Sequence, residues 1–283
     1  MTTPQPHRIF DRAAYRRRRA RERAVGSDQF LVREAAEQLS TRIASINRCF
    51  ASALDLNTRA QSFDILRSTA QKWTRSGTTD QVDIVADEEF LPFTDATFDL
   101  VTSVLSLHAV NDLPGTLLQI RRVLKPDGVF LAALFGGETL HELRLAFTAA
   151  EAAALGGASP RVAPFADMRD LGGLLQRAGF TLPVVDVERT TVCYREPIRL
   201  MADLRAFGET NVLVQRRPNF LSRRLLAAVV SEYSQRFSDG QGRVSATFDI
   251  IYLIGWAPDD SQPKPLRPGS AKTRLSDILK SPD

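Results

Sequence analysis

Apolar positions along the first half of the chain alternate between two periods. Phe30, Leu31, Ala35, Leu39, Ile43 and Ile46 fall on one face of a helix spanning about 28–47. That helix leads into a short apolar strand at 53–56. Phe63, Leu66, Ala70 and Trp73 repeat the helical spacing over 61–73, and the Ser-Gly-Thr-Thr run at 76–79 ends that pattern. A strand at 82–86 follows. Residues 98–105 form a nearly continuous apolar run broken mainly by small hydroxylated residues, the pattern of a strand covered on both faces. A helix at 113–124 stops at Lys125-Pro126-Asp127-Gly128, and 129–135 is a second buried strand.

Beyond it the pattern predicts a helix over 139–155, a loop over 156–160 and a helix over 170–178 closed by Gly179. A strand over 184–194, helices around 197–207 and 220–236, and a last β-rich stretch over 247–256 complete the series. Strands alternating with helices at this spacing predict an α/β fold with a doubly wound, mostly parallel sheet and right-handed crossovers. The division expected is a basic arm at 1–27, a core at 28–155, accessory helices and final strands at 156–257, and a disordered tail at 258–283. The tail has five prolines in 26 residues and little apolar content.

Composition adds little to this until charge is located. The net charge is +4, but residues 8–23 hold eight arginines against Asp11 and Glu22, a local +6 that leaves −2 for the rest. The basicity belongs to one N-terminal arm. Such an arm suits docking on an acidic partner or peripheral contact with an anionic membrane surface, and offers no basis for specific nucleic-acid recognition. No apolar run approaches the ~18 residues of a membrane-spanning helix, and no secretory core follows the arm, so the expected location is the cytoplasm, or the mitochondrial matrix in a eukaryote. Cys49 and Cys193 stand far apart, outside any metal-ligand spacing, and are expected to be small core residues.

Several passages together resemble the methyltransferase-like complex I assembly factors and their bacterial homologues, which are similar in turn to the malonyl-carrier-protein methyltransferases of biotin synthesis. They are Ile9-Phe10-Asp11-Arg12, Ala53-Leu54-Asp55-Leu56, the run from Ala86-Asp87-Glu88-Glu89 to Phe93, Phe98-Asp99-Leu100-Val101, and Ser106-Leu107-His108 to Pro114. Leu124-Lys125-Pro126-Asp127-Gly128, Phe135-Gly136-Gly137-Glu138, Asp203-Leu204-Arg205 with Gly208-Glu209, and the passage from Ala246 to Trp256 extend the match over roughly residues 8–257. The resemblance implies a Rossmann-like seven-stranded sheet of the class I methyltransferases, with S-adenosylmethionine across the carboxyl ends of the first strands. It places Asp55 and Asn57 beside the methionine part of that cofactor and Asp87 and Glu88 beside its adenine. Ser106 falls at the mouth of the site, and His108 is the candidate base. A lone histidine such as His108 is more often a structural hydrogen-bonding residue, and Asn111 and Asp112 read as caps of the next helix.

One stretch departs from the family pattern. After the first strand a methyltransferase has a glycine-rich turn, because only glycine lets the backbone approach the cofactor closely. Here the residues are Asn57-Thr58-Arg59-Ala60-Gln61, in which Asn57 tolerates the left-handed region while Arg59 and Gln61 project side chains into the cofactor's space. A glycine at Arg59 would then reopen it. Only 25 residues separate Leu56 from Val82, too few for two crossovers of ~10–12 residues and a strand of ~5. The second strand or its helix must be shortened, and Asp80 and Asp83 are the remaining candidates for the acid that holds the ribose. Two readings follow: an S-adenosylmethionine-dependent methyltransferase acting on a protein substrate or respiratory-complex subunit, or a non-catalytic assembly module. Arginine hydroxylation and methylation of a malonyl carrier protein are further activities that the resemblance implies. Asp203, Arg205 and Glu209 are candidates for a lid. No cluster with metal-ligand spacing, nucleophile triad or phosphate-binding lysine loop is present.

Overall fold

In the computed structural model, which describes residues 8–25, 30–78, 82–217 and 219–263, two amphipathic helices precede the sheet. They are α1 (Arg12–Val25) and α2 (Phe30–Ser45). The next elements are β1 (Phe50–Leu56), α3 (Ala60–Leu66), β2 (Ala70–Gly77), β3 (Ile84–Val85), β4 (Phe98–Val104), α4 (Leu113–Val123), β5 (Leu124–Phe135) and α5 (His141–Leu155). They are followed by α6 (Met168–Arg177), β6 (Thr181–Tyr194), α7 (Pro197–Ala206), α8 (Arg223–Phe237) and β7 (Val244–Trp256). The seven strands form one sheet in the order β3-β2-β1-β4-β5-β7-β6. β7 runs antiparallel to both β5 and β6, while the other pairs are parallel. This is the doubly wound α/β sheet expected.

Period-two alternation explains why both faces are covered. Along β5, Val129, Leu131, Ala133 and Phe135 join the core beneath α2, α5, α7 and α8, whereas Phe130, Ala132 and Leu134 join the core beneath α4 and α6. Each fully buried aliphatic side chain contributes about 1.5–3 kcal/mol, so these central strands specify their own register. α4 starts where Asp112 caps it, accepting from the Gly115 amide at 2.8 Å. The turn inside β5 uses a left-handed Asp127 (φ 59°) and places Gly128 where a Cβ would lie 2.8 Å from the Lys125 carbonyl.

Two expectations are overturned. The helical spacing over 61–73 ends at Leu66, and Ala70–Gly77 is instead β2, paired residue for residue with β1 from Phe50↔Ala70 to Leu56↔Ser76. Pairing with β1 outweighs local periodicity here, and Trp73 still meets Phe63 across the junction, ring centroids 5.2 Å apart. The two cysteines are both exposed. Cys49 precedes buried Phe50, and Cys193 lies on the solvent side of edge strand β6 beside buried Tyr194. The shortage of chain after β1 falls on the second β-α unit: β2 passes to a two-residue β3 through residues 78–83, with no helix among those described. Part of the tail, from 264 onward, lies outside the described residues.

Candidate functional site

The sheet order reverses between β1 and β4, and open α/β sheets bind ligands in the crevice at the carboxyl ends of strands flanking such a point. β1 delivers Asp55 and Asn57 there, β3 delivers Asp87 and Glu88, and β4 delivers Ser106. Asn57 takes the left-handed conformation (φ 58°) that the missing glycine would have supplied. Its amide nitrogen donates to Glu88 Oε1 at 2.7 Å and to Ser106 Oγ at 3.1 Å, so it bridges the ends of three strands. Asp55 is fully buried, accepts from the Thr58 amide at 3.3 Å and lies 4.0 Å from Arg75. Burial pushes its carboxyl up to about 6, against the opposing effects of Thr58 and Arg75.

The N-terminal arm closes this crevice. α1 lies over the strand ends with Tyr15 buried, its hydroxyl 3.4 Å from Ser106 Oγ. Arg12 binds Asp87 through Nη2 at 2.9 Å, contacts Glu88 through the same nitrogen and reaches the Ala109 carbonyl through Nη1. Arg16 adds a second cation on Asp87 at 2.8 Å, and Arg19 donates to the Asn57 carbonyl at 2.8 Å. The guanidinium carbons of Arg12 and Arg19 lie 4.9 and 5.9 Å from the Tyr15 ring centroid. Burial pushes Asp87 up, but Arg12 and Arg16 outweigh it and hold the carboxyl below its ordinary range.

The arm is fastened outside the crevice by Asn111. Its side chain accepts from the Ile9 and Phe10 amides at 2.9 and 2.8 Å and donates to the Phe10 carbonyl. A bridge from Phe10 to Leu213 and an ion pair from Asp11 to Arg216 at 2.7 Å complete the docking.

The side chains expected to meet S-adenosylmethionine are engaged by the arm and by one another in this arrangement. Asn57, Glu88, Ser106 and Tyr15 are each less than 5% exposed, and the two carboxylates expected to meet the adenosine part are taken up by Arg12, Arg16, Asn57 and Ser106. Arg59, expected in the cofactor's space, is buried at the end of β4 with Nη1 3.4 Å from the Leu105 carbonyl. Its guanidinium turns away to the Phe207 carbonyl at 2.7 Å and Glu209 at 2.8 Å, and Gln61 is exposed on α3. Asp83 accepts from the Arg75 amide along β2 instead of standing at the strand's end, and Asp80 lies outside the described residues.

Beside the crevice is a cavity of about 280 Å³ lined by His108, Phe135, Leu143, Phe165, Met201 and Glu209, among others. His108 sits on a short 3₁₀ turn after β4, packs against Phe135 and Phe165, and shares a hydrogen bond with Glu209 at 3.1 Å. Its Nδ1 is buried with no partner among the described residues. Burial pushes Glu209 up, but His108 and Arg59, with Arg19 beyond, bring its carboxyl down to about 2. Of the lid candidates, Glu209 is thus part of the cavity wall and Arg205 stands exposed at its mouth.

The structure therefore gathers Asn57, Asp87, Glu88 and Ser106 into one network, leaves Asp55 beneath it, and sets His108 in the neighbouring chamber. Asn111 holds the arm instead of capping α4. Sequence reasoning missed Arg12, Tyr15 and Arg19 as residents of the crevice; their spacing along one stripe of α1, with Tyr15 among arginines, was the available signal.

Comparison with known proteins fits this geometry. A methyltransferase domain model matches residues 47–132. The protein named arginine-hydroxylase NDUFAF5, mitochondrial, of Mus musculus is 39% identical over 301 aligned positions, spanning 100% of this chain and 87% of the relative. The chain belongs to the NDUFAF5 family of methyltransferase-like proteins. A malonyl-[acyl-carrier protein] O-methyltransferase of Halorhodospira halophila is 39% identical over 173 positions, 61% of this chain and 57% of the relative. Among solved structures, a candidate methyltransferase of Bacillus halodurans superposes with a TM-score of 0.53 at 18% identity, over 79% of this chain and 99% of the other. That likeness is one of fold, and it matches the class I sheet described above. Within that fold, this chain's turn after β1 carries no glycine, and no helix stands between β2 and β3 among the described residues.

Proposed function

We propose that this chain acts on a protein partner in respiratory complex I assembly, as a methyltransferase-fold protein whose own arm holds the cofactor crevice shut. The observation that carries the reading is the arm's occupation of the crevice: Arg12 on Asp87 and Glu88, Tyr15 on Ser106, and Arg19 on Asn57. S-adenosylmethionine, the ligand of this fold family, enters only with α1 displaced. The mitochondrial naming of the mouse relative supports the mitochondrion as the working compartment in a eukaryote. Among the described residues no helix is long and apolar enough to cross a membrane.

Modification of an arginine, as that relative's name states for itself, is less well supported by this chamber. Arg161 and Arg205 stand on its lining, and the Glu209 carboxylate is already satisfied by Arg59 and His108. An incoming guanidinium would meet the like charge of Arg205, Arg161 being paired with Glu151, and no unpaired carboxylate among the described lining residues. The malonyl-ester reading rests on a relative aligned over less than two thirds of either chain.

The test loosens the arm without touching the crevice. Asn111→Ala removes three hydrogen bonds to Ile9 and Phe10, about 1–3 kcal/mol of docking, and so raises the open fraction about 5- to 150-fold. Equilibrium dialysis against S-adenosylhomocysteine is expected to show binding that tightens by that factor over the wild-type chain. Equal affinity in the two proteins contradicts the closed-crevice reading.

A further inference from the structure

The arm has a second, outward face. Where it meets residues 210–217 and 219–221 an open groove of about 1110 Å³ runs along the surface, and its lining holds seven arginines against two carboxylates, Asp11 and Glu89. Three of the seven have their charge met: Arg12 by Asp87 and Glu88, Arg161 by Glu151, and Arg216 by Asp11. Arg217 and Arg18 reach only carbonyl oxygens, of Gly157 and Asn211. Arg8 and Arg205 make no ion pair with any described residue. Burial, and then Arg216 beside it, hold Arg18 below its ordinary range, as expected where positive charge is crowded. Glu89, the second carboxylate, accepts from the Asn111 amide at 2.6 Å.

Apolar surface accompanies the charge. Phe220 is fully exposed on the groove wall and Val214 is half exposed. The groove adjoins the His108 chamber, with Phe10, Arg161, Arg205, Thr210 and Asn211 lining both. A concave, basic channel with an apolar wall, adjoining an apolar chamber, suits an extended polypeptide whose acidic residues meet the arginines while one apolar side chain enters the chamber. A flat bilayer surface cannot follow that concavity.

We propose that this groove is the docking site for an acidic, extended segment of the protein partner, with Arg8, Arg18, Arg205 and Arg217 as its anion-recognising residues and the His108 chamber as the pocket for one apolar side chain. The proposal rests on the protein-partner reading above and names the chemistry of that partner.

The test uses the full chain and a fluorescein-labelled ten-residue probe of glutamates with one central phenylalanine, followed by anisotropy. The double variant Arg8→Glu/Arg205→Glu reverses two unpaired groove charges, while Arg67→Glu makes a charge reversal on exposed surface outside the groove. Binding is expected to weaken at least about tenfold in the double variant and to stay within about threefold of wild type in Arg67→Glu, with the difference shrinking as salt is raised. Replacing the probe's phenylalanine by serine should weaken binding further, through the chamber. The proposal is overturned if the wild-type chain does not bind the probe, or if Arg67→Glu weakens it as much as the groove variant. It is equally overturned if phosphatidylserine vesicles, and not the peptide, show the Arg8 and Arg205 dependence. With Asn111→Ala added to open the crevice, the double variant should bind S-adenosylhomocysteine as tightly as Asn111→Ala alone, so failure of the groove and failure of the closed crevice are read separately.

Discussion

Asp55 shows how one buried side chain imposes a pH dependence on the whole fold. Unfolded, its carboxyl ionises near 3.8; folded, burial raises it to about 6. Between these values the folded chain binds more protons than the unfolded one, so this residue's contribution makes stability fall as pH rises from about 4 to 6, and level off above. The gap corresponds to at most about 3 kcal/mol. Asp55→Asn is expected to remove that decline, measured as urea unfolding at pH 4 and pH 7 in both proteins. Parallel pH profiles for the two would show that Asp55 is not held in this way. The sequence placed Asp55 at a strand end facing a ligand, and the structure seals it beneath Thr58 and Thr102. Burial of a side chain one residue before a strand's end depends on what covers that end, which periodicity does not report.

Between elements, Arg59 is the clearest case of a residue legible in position but not in role. It follows β1 where a glycine is expected, and a side chain there suggests obstruction of a ligand. Instead it ties the start of α3 to the turn after α7, through Phe207 and Glu209. Arg59→Gly therefore leaves Glu209 buried with one cation fewer and is expected to destabilise the chain by about 3–5 kcal/mol, read from urea unfolding. A loss below about 1 kcal/mol would contradict the staple. The same limit applied to β2. Its Phe63, Leu66, Ala70 and Trp73 spacing was helical, but β1 needed a partner on that side, and long-range pairing is invisible to a local window. Strands β4, β5 and β7 were legible because burial on both faces writes a continuous apolar run into the sequence.

For the molecule as a whole, the arm was legible as charge and misread as surface. Eight arginines between positions 8 and 23 suggested a segment reaching toward something acidic. The acidic surface proved to be the chain's own, Asp87 and Glu88, at the carboxyl end of β3 where the cofactor was expected. The shortened second β-α unit, foreseen from the count of residues between Leu56 and Val82, and the arm's insertion belong together. A crevice without a glycine turn has room for Asn57 and an arginine helix. The account stands or falls on that closure, and calorimetric titration of the wild-type chain with S-adenosylmethionine tests it most directly. No detectable heat up to about millimolar ligand is the predicted result, because displacing α1 consumes the free energy of its docking. Saturable binding in the micromolar range, with α1 still protected in hydrogen exchange, would contradict it.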